Sequence, residues 1–171
     1  MFHPQYQFGL HDLALDKERV EPDTVYTKWL TDITKRLAAA APRANISWVT
    51  TTPVPLGIDG YCNKTNGQGG CPPRRAADPP IYNAAAAKVI AAHNAQAVRP
   101  IQTIDLFAVA TKKCGTSYTL CPENCSGTKV NKSWVGTCYQ IPHNVHFFPA
   151  GWADLSQAYM AAAGGHAGIP G

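Results

Sequence analysis

The chain has 171 residues, 45% hydrophobic and only 15% charged, which suffices for one folded domain and excludes a disordered polyelectrolyte. A formal net charge of +4, with no Lys/Arg run and no basic–aromatic stripe, gives no reason to expect a nucleic-acid partner. No apolar stretch reaches the ~20 residues needed to span a bilayer.

The first eight residues, Met1-Phe2-His3-Pro4-Gln5-Tyr6-Gln7-Phe8, have neither a basic start nor an apolar core and do not read as a signal peptide. Residues 5–10 form a short apolar run ending at Gly9, as at the tail of a buried strand. Pro22-Asp23-Thr24 predicts a helix start with Asp23 or Thr24 as N-cap. Val25, Trp29, Ile33 and Leu37, joined by Leu30, predict its apolar face, and Pro42 its end. Residues 45–54 (NISWVTTTPV) read as a strand.

A loop over 56–80 carries Cys62 and Cys71, and Asp78-Pro79-Pro80 opens a second helix with Tyr82, Ala85, Ala86, Val89 and Ile90 inward. Residues 101–109 (IQTIDLFAV) read as another strand. An irregular insert over 111–140 holds Cys114, Cys121, Cys125 and Cys138. The last helix is expected over about 149–163, with Trp152, Leu155, Tyr159 and Met160 inward, followed by a flexible Gly/Pro tail at 164–171. The alternation of strand and helix predicts an α/β domain over 1–163 with a mainly parallel sheet.

Six cysteines in loop-like segments and four sequons, at Asn45, Asn63, Asn124 and Asn131, point to the secretory pathway. Chance predicts roughly one sequon at this composition. Loop locality predicts Cys62 paired with Cys71 and the other four cysteines paired among themselves. Cys121-Pro122-Glu123-Asn124-Cys125 has a zinc-ligand spacing, but a second close pair is missing. Neither a metal nor another cofactor is expected. Secretory features without a leader predict that the true N-terminus lies upstream.

Two segments fall where chemistry concentrates in a parallel sheet, beyond the carboxyl ends of the strands. The first is Phe8-Gly9-Leu10-His11-Asp12, which reads either as a site turn or as a plain turn capped by Asp12. The second is His143-Asn144-Val145-His146-Phe147-Phe148-Pro149-Ala150-Gly151, where His146 is either a general base or a histidine satisfied by backbone or solvent.

Together these segments resemble the third and last sequence blocks of the SGNH (GDSL-type) hydrolases. Gly9-Leu10-His11-Asp12 is similar to that family's Gly-x-Asn-Asp, with His for Asn. His143-Asn144-Val145-His146-Phe147 is similar to its Asp-x-Val-His-Phe, with His for Asp. Tyr26 and Leu30, Thr51-Thr52-Pro53, Tyr82-Asn83 and Asp105-Leu106 also resemble residues of the family at corresponding places.

The resemblance implies a flavodoxin-like three-layer α/β/α sandwich lacking its first strands, and hydrolysis of acyl esters, including lipid or carbohydrate esters. His146 would be the general base and His11 an oxyanion donor, with Gly9 and Asp12 shaping its turn. His143 stands where the orienting acid belongs. His11 and His146 would then face one cleft, within roughly 10–12 Å.

No Gly-Asp-Ser and no Gly-x-Ser-x-Gly occurs, and none of Ser47, Ser117, Ser126, Ser133 and Ser156 sits in a nucleophile turn. The sequence therefore predicts an esterase-like domain that is incomplete and inactive as written, acting if at all on a small-molecule or glycan ester. The alternative is a non-catalytic, disulfide-stapled glycoprotein domain that binds a glycan or a protein. Nothing in the sequence speaks to oligomeric state.

Overall fold

The computed structural model describes residues 5–7, 13, 20–54, 74–115, 125–131, 133–141 and 145–164. Three short strands, β1 (Gln5–Tyr6), β2 (Ser47–Val49) and β3 (Gln102–Ile104), form a parallel sheet in the order β1-β2-β3. The connection from β1 to β2 contains helix α1 (Thr27–Ala40), and α2 (Asp78–Asn94) joins β2 to β3. Helix α3 (Leu106–Cys114) follows β3 after one residue. An antiparallel hairpin, β4 (Gly127–Val130) and β5 (Ser133–Gly136), precedes helix α4 (Pro149–Gly164).

Alternation along β2 sends its side chains to opposite faces. Trp48 enters the main core with Tyr6, Leu30, Tyr82, Ala86, Ile90 and Ile101, on the side of α1 and α2. Val49 faces the cavity lined by α4. On β3, Gln102 donates from Nε2 to the carbonyl of Ala162 in α4 (3.3 Å). A second core joins α3 and α4 through Ala110, Tyr139, Phe147 and Leu155.

Two asparagines of α2 hold the ends of the strands. Asn83 accepts from the Thr51 amide (2.8 Å) and donates to the Thr51 carbonyl (2.9 Å), just past β2. Asn94 does the same for Ile101, at 2.7 and 2.9 Å, just before β3. A carboxamide offers a donor and an acceptor side by side, so it satisfies both backbone groups where no further strand does so.

Several sequence-based expectations need correction. Residues 101–109 are not one strand: β3 stops at Ile104, and Asp105 caps α3. Its Oδ1 accepts from the Ala108 amide (2.9 Å) and from the Thr50 hydroxyl (3.0 Å), while the Phe107 amide donates to Thr50 Oγ1 (2.9 Å). Those bonds supply the amides that a new helix leaves unpaired, so the chain turns instead of extending.

The first helix begins as a wide π-type turn over Pro22–Tyr26, without a side-chain cap from Asp23 or Thr24. Its inward stripe is Tyr26, Leu30 and Thr34, with Ile33 and Leu37 partly buried. Val25 and Trp29 are instead 38% and 45% exposed. Tyr26 packs edge-on against Tyr82, and Thr34 bonds the Tyr6 hydroxyl (3.0 Å), which together fix the helix rotation. In α4 only Leu155 of the expected inward set is fully buried, and Trp152 and Met160 are exposed. The strand expected over 45–54 pairs only across Ser47–Val49, although Thr50 to Val54 remain buried.

Burial raises the Tyr6 phenol above the ordinary 10.0, partly offset by the bond to Thr34. A raised folded value means that its contribution is complete below pH 10 and is lost as pH climbs through the folded value. Tyr6→Phe is therefore expected to cost about 0.5–1.5 kcal/mol at neutral pH. The gap to wild type should narrow steadily above pH 10, as read by denaturant melts across pH 7–11.5. A gap that stays constant would show that the phenol does not ionise with unfolding.

Candidate active site

The parallel strands end at a cavity of about 430 Å³. Gln7 beyond β1, Val49 and Thr52 at the end of β2, and Leu106 beyond β3 form one wall. His146 and Phe147 from the loop before α4, and Trp152, Leu155, Ser156 and Tyr159 of α4, form the other. The cavity thus lies at the carboxyl edge of the sheet, where open α/β folds place their sites.

His146 is held by its backbone. Its carbonyl accepts from the Ile141 amide (2.8 Å), and Phe148 donates to the Tyr139 carbonyl (3.0 Å), with Gln140 and Phe147 paired between them as a short antiparallel bridge. The buried Gln140 side chain donates to the carbonyls of Pro53 (3.1 Å) and Val145 (3.3 Å), tying this ladder to the segment after β2. The imidazole itself is exposed.

Gly151 lets α4 start close by: a methyl group there would strike the Tyr139 carbonyl and approach the Phe147 ring. Phe147 packs edge-on against Tyr139 and Trp152, with ring centroids 5.7 and 6.5 Å apart. The loop and the first turns of α4 therefore form one aromatic unit beside His146.

The described lining is apolar except for Gln7, Thr52, His146, Ser156 and the phenols of Tyr6 and Tyr159, and it holds no carboxylate. Such a surface suits a small uncharged group with an apolar part, with the His146 imidazole in its lining.

Gly9, His11, Asp12 and His143 lie outside the described residues, and so does the expected meeting of His11 with His146. Cys62, Cys71, Cys121, Asn63 and Asn124 lie outside them as well. Cys125 is bonded to Cys138, within the 111–140 segment, and Cys114 is also in a disulfide. Asn131 is exposed at the β4–β5 turn, in the left-handed conformation (φ 48°) that asparagine tolerates. Asn45 is half-buried, and its Oδ1 accepts from Arg99 (3.5 Å).

Ser156, ten positions after His146 and in no nucleophile turn, lines the same cavity. The pairing of Thr50 with Asp105 was invisible in the sequence, since 55 residues separate them. Among the described residues no helix is long and apolar enough to cross a membrane, and no group of three His, Cys, Asp or Glu side chains could hold a metal ion. No protein-family model matches the chain, and no curated protein matches it.

Proposed function

We propose that the chain is an SGNH/GDSL-type esterase-like domain of the secretory pathway, whose cavity receives the acyl part of an ester beside His146. One observation carries the reading: the histidine singled out by the family-like block lines an apolar cavity at the carboxyl edge of a parallel sheet. The apolar wall of Val49, Leu106 and Leu155 would take the acyl chain, and the imidazole would accept a proton from an attacking hydroxyl. The chain has no Gly-Asp-Ser block to supply that hydroxyl, and His143 replaces the orienting acid. The domain as given would bind acyl groups without turning esters over. The disulfide between Cys125 and Cys138 supports an oxidising compartment.

The exposed Trp152, 55% accessible at the cavity wall, favours a second reading in which the same surface binds a glycan without chemistry. Two measurements test the proposal, and the first also separates the two readings. Butyramide, an unreactive acyl analogue, should shift the NMR signals of the His146 imidazole and the Trp152 indole with one common affinity. A neutral oligosaccharide that shifts Trp152 while butyramide shifts neither would establish the glycan reading. Release of p-nitrophenol from its acetate should be equal for wild type and His146→Ala. Turnover lost on that substitution would reveal a nucleophile in this chain, with Ser156 the first to replace.

A further inference from the structure

A larger cavity, about 580 Å³, opens between α1 and α2 and shares no lining residue with the one at His146. It is bordered by Thr27, Thr31, Thr34 and Lys35 of α1 and by Lys88, Val89, Ala92, His93, Gln96 and Ala97 on and just beyond α2. At the helical rise, Thr27 to Lys35 and Lys88 to Gln96 each span about 12 Å, so the opening is a groove and not a pit.

Its chemistry is unusual for a seam between packed helices. Thr27, Thr31 and Lys35 present polar groups along one edge of α1, beside the buried Thr34, whose hydroxyl is bonded to Tyr6. The protons of Thr27 and Thr31 are already used, because Thr27 Oγ1 donates to the Asp23 carbonyl (2.9 Å) and Thr31 Oγ1 to the Thr27 carbonyl (2.7 Å). Their oxygens therefore offer only acceptors to a ligand. Across from them stand nitrogen groups: Lys88, His93 and Gln96, with Lys35 on the α1 side.

No carboxylate lines the groove among the described residues. Asp23 pairs with Lys88 at its outer end (3.2 Å), where both side chains are well exposed and the pair is weak. Lys35 has no such counter-ion among the ion pairs described. The groove thus combines acceptors that seek hydroxyl donors with cations that seek an anion.

We propose that the groove between α1 and α2 binds an acidic, hydroxyl-rich ligand of the uronate class, its carboxylate meeting Lys35 and Lys88 and its hydroxyls meeting Thr27, Thr31 and Gln96. A simple anion would leave the threonine acceptors unused, and a neutral polyol would leave the ammonium groups unused. The site is independent of the esterase reading.

The test uses the full chain and D-glucuronate as the probe, with methyl glucoside and acetate as controls, followed by NMR shifts of α1 and α2 amides at low and high salt. Glucuronate is expected to saturate these shifts, more weakly at high salt, and to bind at least about fivefold more tightly than either control. Lys35→Gln is expected to weaken glucuronate binding by about fivefold or more while leaving circular dichroism and butyramide shifts unchanged, since Lys35 is exposed and does not line the His146 cavity. Equal binding of methyl glucoside would overturn the role of charge, and equal binding of acetate the role of the hydroxyls. Absence of saturation, or indifference to Lys35→Gln, would overturn the site itself.

Discussion

Trp48→Ala is expected to lower the stability of the domain by about 3–5 kcal/mol, enough to unfold much of a typical domain's population near its working temperature. Among the described residues Trp48 is the largest fully buried side chain, 1% exposed at the centre of the sheet. It stacks edge-on with Tyr6 at 5.2 Å between ring centroids and shares its core with Leu30, Tyr82 and Ile90. Removing the indole leaves a void beside α1 and α2 that the two neighbouring strands cannot fill without breaking the parallel register. Urea melts monitored by far-UV circular dichroism measure the loss. Trp48→Phe should recover part of it, and a loss under 1 kcal/mol for the alanine variant would mean that the main core is not packed around this ring.

Asn83→Ala is expected to cost about 2–4 kcal/mol, because it takes away the acceptor of the Thr51 amide and a donor to the Thr51 carbonyl at a fully buried residue. The damage should reach the site, since Thr52 is the next residue and lines the cavity beside His146. Asn83→Asp is the informative companion. It keeps an acceptor for the amide but sets a carboxylate oxygen against a carbonyl oxygen, so it should be at least as harmful despite its nearly identical shape. If the aspartate variant were as stable as wild type, the bidentate contact would carry no weight. Amide exchange at Thr51 and Thr52 gives a local readout beside the global melt.

The strand–helix alternation, the start of α2 at Asp78 and its buried side at Tyr82, Ala85, Ala86 and Ile90 were legible from residue type alone, because proline position and apolar spacing are local signals. The run 101–109 was not. Its apolar residues fit a strand or a helix equally well, and the decision rests on Asp105 finding Thr50 across the sheet. The face of α1 was ambiguous for a similar reason. Val25-Trp29-Ile33-Leu37 and Tyr26-Leu30-Thr34 are both spaced by four, and only tertiary partners choose between them. A polar residue, Thr34, belongs to the buried set because Tyr6 meets its hydroxyl. At the site, His146 stood out because of the block around it. Its setting came from Gln140, Pro53 and Tyr139, whose roles are backbone contacts that no residue pattern announces.

The bond between Cys125 and Cys138 closes the hairpin β4–β5 at its base, and Tyr139 follows directly. Tyr139 is also the residue whose carbonyl receives Phe148 and abuts Gly151, so the ladder carrying His146 hangs from a covalently fastened bracket. A cross-link enclosing so short a stretch restricts the unfolded chain by about 3 kcal/mol on the entropic account. The hairpin is thereby a fastened support for the ladder that carries the histidine loop.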